Sequence, residues 1–115
     1  MGNPVTHFEV LGQDAAALQN FYGQAFGWEM QDVMEGSYYM ANPGSGVQGG
    51  VGNAMGGGNG HVTFYVEVED PAAALARIEE LGGRTIQPPM DVPGGPTIAL
   101  FGDPEGHVIG LVKGQ

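Results

Sequence analysis

A chain of 115 residues with thirteen carboxylates against three cationic side chains carries a formal net charge of −10. That balance argues against a nucleic-acid partner, because phosphate contacts need clustered Lys and Arg, and the first 76 residues contain neither. There is no cysteine, so disulfides and thiolate metal ligands are ruled out. No apolar run approaches the roughly 20 residues of a membrane span, and the N-terminus lacks a charged-then-apolar leader pattern. The expectation is a single cytoplasmic domain over residues 1–115.

Residues 5–10 alternate in the manner of a strand. Thr6, Phe8 and Val10 fall on one face, with Val5, His7 and Glu9 on the other. Asp14 is placed to cap a helix. Leu18, Phe21, Tyr22 and Phe26 follow at helical spacing, and Gly27 stops the run. Residues 28–33 and 37–41 read as a strand pair around a Glu35-Gly36 turn. A fourth strand is expected over 47–52. Nine of the seventeen residues from Gly44 to Gly60 are glycine, which makes Ala54–Gly60 the linker.

The order then repeats. Residues 61–68 alternate, with Val62, Phe64, Val66 and Val68 opposite His61, Thr63, Tyr65 and Glu67. Asp70-Pro71 opens a helix with a cap and a first-turn proline. Leu75, Ile78 and Leu81 form its stripe, and Gly82-Gly83 ends it. Strands are expected at 84–87, 96–101 and 107–112, with Asp103-Pro104-Glu105-Gly106 as a turn. Each half therefore reads strand–helix–strand–strand–strand, an α+β arrangement rather than a doubly wound one. Helices should cover the Phe8/Val10 and Phe64/Val66 faces. The opposite faces, with His7, Glu9, His61, Thr63 and Tyr65, are then left to line a cavity.

His7-Phe8-Glu9-Val10, the Phe21-Tyr22 to Phe26-Gly27-Trp28 segment, Gly60-His61-Val62 and the stretch from Asp103 to Leu111 together resemble the vicinal oxygen chelate superfamily. That superfamily includes glyoxalase I, bleomycin-resistance proteins and extradiol dioxygenases. The resemblance covers nearly the whole chain and implies two βαβββ modules, about 1–54 and 60–115. These would form a cup-shaped pair of half-barrels around a small molecule, in a protein that is often a homodimer. It also implies metal ligands at His7 and His61. The last-strand carboxylate of metal-using members corresponds to Gly110 in Ile109-Gly110-Leu111, and a glycine cannot bind a metal. Gln48 is the nearest polar residue in the fourth strand, and Glu9 lies two residues along from His7.

Two neutral imidazoles suit Zn, Fe, Ni, Co or Mn, yet a catalytic zinc keeps about three protein ligands. No cofactor is therefore certain, and a divalent metal remains an option. The reading that follows is a small-molecule binder with a degenerate metal site, its ligand touched by His7, Glu9, Gln48, His61, Thr63 and Tyr65. The alternative is a metal-dependent lyase or isomerase, or an extradiol-type dioxygenase, using His7 and His61. His107 beside its turn reads as a surface residue. Trp28, Tyr38, Tyr39 and Tyr65 either stack on a flat ligand or simply pack. The glycine-rich segment lacks the lysine of a phosphate cradle. No nucleophile triad can be assembled from Ser37 and Ser45.

Overall fold

A computed structural model describes residues 2–54 and 58–114. The expected linker at 54–60 therefore lies partly outside the described residues, as does Met55. The elements are β1 (Val5–Gly12), α1 (Ala15–Phe26), β2 (Glu29–Asp32), β3 (Tyr38–Asn42), β4 (Gln48–Asn53), β5 (His61–Val68), α2 (Pro71–Glu80), β6 (Arg84–Asp91), β7 (Thr97–Gly102) and β8 (Val108–Lys113). The predicted βαβββ order thus occurs twice. The chain divides into two compact units, residues 6–63 and residues 1–5 with 64–115.

In the first unit the strands lie in the order β2-β3-β4-β1, with β1 parallel to β4 and the other pairs antiparallel. The Asp14 side chain accepts from the Ala17 backbone N–H at 3.0 Å and opens α1. Gly27 closes it in the left-handed region at φ 72°, a conformation that a residue without a Cβ adopts at no steric cost. The alternation of β1 is respected. Phe8 and Val10 pair with Gly49 and Val51, while His7, Glu9 and Leu11 pair with Gln48, Gly50 and Gly52. Val51 is fully buried, and Val10, Ala15 and Ala41 are buried.

The Phe8 face carries an aromatic cluster. Trp28 stacks on Tyr22 at 5.8 Å with the ring planes 10° apart, and Phe8 and Phe26 each approach Trp28 to 5.2 Å. The expected stripe of α1 divides, however. Leu18 and Tyr22, four apart, share the partly buried face with Ala15, whereas Phe21 and Phe26 are both 62% exposed. At 100° per residue, four large residues at mixed three- and four-residue spacing spread wider than one small sheet covers.

In the second unit the order is β5-β8-β7-β6, with β5 parallel to β8. Asp70 accepts from the Ala72 and Ala73 N–H groups and Pro71 takes the first helical position. Val68, Leu75, Ala99 and Leu111 form the core, with Val66, Ala74, Ile78 and Phe101 packed against it. The expected apolar face of β5 is covered only in part. Val66 and Val68 belong to the core, but Val62 is 73% and Phe64 41% exposed. The ten residues of α2 span about 15 Å, whereas the eight of β5 run about 26 Å, so the helix covers one end of the strand. Leu81 falls at the helix end and is exposed. β6 runs to Asp91, longer than expected, through Pro88-Pro89. Its place at the end of the strand order and its register shifts around Gln87 accommodate prolines that cannot donate to a ladder.

These burials predict that Leu75→Ala destabilises the protein by about 2–5 kcal/mol. Phe21→Ala, although it removes a larger side chain, should cost under about 1 kcal/mol. Urea unfolding of the two variants checks the contrast. Equal losses would mean that the outer face of α1 is covered in solution.

Candidate functional site

The face of the first unit's sheet opposite the aromatic cluster is built on glycine. Gly50 and Gly52 of β4 alternate with Gly49 and Val51, so both point to the His7/Glu9 side. Tyr38 of β3 pairs with Gly52 and Met40 with Gly50. With no Cβ beneath it, the Tyr38 ring lies flat across both glycines. A Cβ at Gly50 would overlap the Tyr38 hydroxyl, and one at Gly52 would overlap its ring. The ring thereby crosses a whole strand and reaches β1.

There the Tyr38 hydroxyl donates to Glu9 Oε2 at 2.9 Å and lies 3.3 Å from His7 Nε2. A phenol has one proton, and Glu9 receives it. In the bond to His7 the phenolic oxygen therefore accepts and Nε2 donates, which assigns the Nε2–H tautomer to the neutral ring. Burial of the half-buried imidazole lowers its pKa from the ordinary 6.5, and the Glu9 carboxylate opposes this with a smaller upward pull. His7 is therefore neutral at pH 7. The unit around it, residues 6–63, contains Glu9, Asp14, Glu29, Asp32 and Glu35 but no Lys or Arg.

The other expected site residues are distributed differently. Gln48 faces His7 across the β1–β4 ladder and is exposed at the start of its strand. His61 is exposed at the start of β5, whereas Thr63 is 5% exposed and Tyr65 7%. The helix caps explain the difference. His7 precedes the cap Asp14 by seven residues, and the residue seven before the cap Asp70 is Thr63. By position in the βαβββ repeat, Thr63 rather than His61 corresponds to His7. The same count makes Tyr65 correspond to Glu9.

The parallel ladders extend this correspondence to the fourth strands. Glu9 pairs with Gly50, and Tyr65 pairs with Gly110. A Cβ at Gly110 would overlap the Tyr65 ring. Equivalent positions in the two units are therefore both glycine and both roofed by a tyrosine, from β3 in one and from β5 in the other. Any side chain at Gly110 would need space that the Tyr65 ring fills.

Among the described residues no three His, Asp or Glu side chains converge closely enough to hold an ion. The His7 Nε2 proton faces Tyr38, and the two fourth-strand positions are glycines under tyrosine rings. Among the described residues the donor set does not fit a resident metal.

Tyr38 was legible in the sequence only as an aromatic available to stack or pack. The glycines at 49, 50 and 52 were the signal that something broad lies over that strand. Trp28 is occupied by Tyr22, Phe8 and Phe26, and Tyr39 pairs with Val51 on the Phe8 side. Neither is on the His7 face. His107 is exposed as expected, 2.9 Å from Asp103, whose carboxylate also accepts from the Glu105 and His107 N–H groups. These hydrogen bonds lower the Asp103 pKa, the His107 N–H foremost. A separate open cleft of about 450 Å³ in the second unit is lined by Asn3, Pro4, Glu67, Glu69 and Lys113, among others, and includes none of the expected site residues. No helix among the described residues is long and apolar enough to cross a membrane.

Comparison with known proteins gives concordant results. Residues 5–111 match the family model described as the Glyoxalase/Bleomycin resistance protein/Dioxygenase superfamily. The anthracycline biosynthesis protein DnrV of Streptomyces peucetius is 32% identical over 117 residues, covering 86% of this chain and 42% of the relative. The chain thus spans less than half the length of that relative. A hypothetical protein of Bacillus halodurans C-125 superposes with a TM-score of 0.72 at 13% identity, covering 100% of this chain and 96% of the other. A methylmalonyl-CoA epimerase of Streptomyces coelicolor superposes at 0.66 with 19% identity, covering 96% of each chain. Likeness at such identities establishes the fold.

Gly110→Glu should cost at least about 2 kcal/mol through overpacking, and markedly less in a Tyr65→Ala background. A denaturation double-mutant cycle reads that coupling. For His7, the folded-state pKa lies below the unfolded 6.5, so the unfolded chain takes up the proton first. Its contribution to stability is whole above pH 6.5 and is lost as pH falls through the folded value. His7→Gln should flatten the melting temperature across that acid window, and an unchanged slope would mean that the imidazole is not desolvated.

Proposed function

The chain belongs to the Glyoxalase/Bleomycin resistance protein/Dioxygenase superfamily, and from that premise we propose that it binds a flat, oxygen-bearing organic molecule without a metal. The observation that carries this reading is the His7–Tyr38–Glu9 hydrogen-bond chain, half-buried on a sheet face whose glycines seat the Tyr38 ring. Polar groups in fixed orientation on a largely apolar surface are what a small-molecule site needs. Gln48 stands at the rim of that face. Thr63, Tyr65 and His61 are further contact candidates from the second repeat.

Charge narrows the ligand class. With five carboxylates and no Lys or Arg in residues 6–63, the face disfavours anions and accepts neutral or cationic compounds. The relatives named for anthracycline biosynthesis support a planar polycyclic ligand. Sequestration suffices as an activity, because the chain of donors orients a ligand without requiring a reaction. The protein acts as a cytoplasmic homodimer, each copy offering one such face.

Thermal shift against a panel of planar aromatic and polyketide-like compounds tests the ligand class, followed by native mass spectrometry of the best complex. A ligand at about 100 times its Kd adds about 2.7 kcal/mol to stability, a readily measured rise in Tm. The expected complex has two chains and two ligands, and His7→Ala weakens binding. No shift from any compound, together with a stoichiometric metal in the purified protein, would reverse the reading in favour of a metal-dependent lyase, isomerase or dioxygenase.

A further inference from the structure

We propose that Tyr38 takes the place of a metal ion on the first unit's sheet face, its hydroxyl bridging His7 and Glu9 as a cation would, and that it thereby makes the face selective for organic ligands over divalent cations. The inference deepens the binding reading and rests on it for the location of the site. An imidazole nitrogen and a carboxylate oxygen converge on one point, and that point is occupied by the phenolic oxygen, 3.3 Å from Nε2 and 2.9 Å from Oε2.

The arrangement is asymmetric in a way that shuts out a cation. A divalent ion needs a lone pair from the nitrogen, and Nε2 presents a proton to Tyr38. The ion also needs ligand distances of about 2.0–2.2 Å, whereas the phenol props His7 and Glu9 apart at hydrogen-bond length on both sides. Gly50 and Gly52 are what admit the bridge. Any side chain at either position would lift the ring away from β1, so the glycines and the phenol form one device. His7 and Glu9 lie two apart on the same strand face and direct a nitrogen and an oxygen at the same hydroxyl.

The experiment is a calorimetric titration of the full chain with cobalt(II) alone, using wild type, Tyr38→Phe and Tyr38→Phe/His7→Ala. In parallel, ¹⁵N-edited NMR reads the His7 tautomer in the wild type. Tyr38→Phe should bind cobalt at least about ten-fold more tightly than wild type, within the range that partners of ligating side chains control. The added His7→Ala should abolish the gain. His7 in the wild type should be the Nε2–H tautomer. Wild-type affinity equal to or tighter than that of Tyr38→Phe would overturn the proposal, since the phenol would then be irrelevant or itself a ligand. An Nδ1–H tautomer would overturn it as well. That second readout uses the wild-type chain, so it decides even if Tyr38→Phe folds poorly. No organic ligand enters either measurement, so failure here is distinct from failure of the ligand panel.

Discussion

A tyrosine ring laid across a neighbouring strand's glycines is the contact on which the rest of the site depends. In the first unit Tyr38 crosses Gly52 and Gly50 to reach β1, and in the second Tyr65 covers Gly110. A sheet face usually holds each side chain over its own strand, because the Cβ atoms of adjacent strands stand upright beside it. Removing those Cβ atoms lets one side chain lie down and touch residues that are not its ladder neighbours. Glycine costs some strand stability, and here the half-buried Tyr38 ring and the buried Tyr65 ring offset it by filling the space.

The electrostatics follow from the same contact. Once the Tyr38 proton is committed to Glu9, the imidazole must donate from Nε2, and the chain of donors runs in one direction, from His7 through Tyr38 to Glu9. Desolvation keeps His7 uncharged at neutral pH. The Glu9 carboxylate accepts the phenolic hydrogen bond in a segment that contains no Lys or Arg.

The spread of the apolar stripe on α1 and the length of α2 decide what the helices protect. α1 turns Leu18 and Tyr22 inward and leaves Phe21 and Phe26 outside, and α2 covers Val66 and Val68 but stops short of Val62 and Phe64. The exposed residues on both elements lie at the ends and edges of otherwise well-packed faces. Apolar surface of this kind is the ordinary remainder when a short helix packs on a longer strand, and it is also where a second chain gains most from covering it.

The sequence by itself determined the element order. Alternation, the Asp14 and Asp70 caps, the helix-stopping glycines and the Glu35-Gly36 and Asp103–Gly106 turns are local signals, and each acts within a few residues of itself. The doubled βαβββ pattern and the placing of His7 and Glu9 on one strand face were legible for that reason. The pairing of His7 with His61 was read from residue identity, and counting back from the helix caps moves the equivalent position to Thr63. The role of Tyr38 was not legible, because no local rule tells which side chain from a non-adjacent segment will lie over a glycine. Only the tertiary structure decided that, through the registers of β3 on β4 and of β4 on β1. Those registers set Tyr38, Gly50, Gly52 and Glu9 on one face in reach of one another, and a shift of one residue would have turned the glycines to the other side of the sheet.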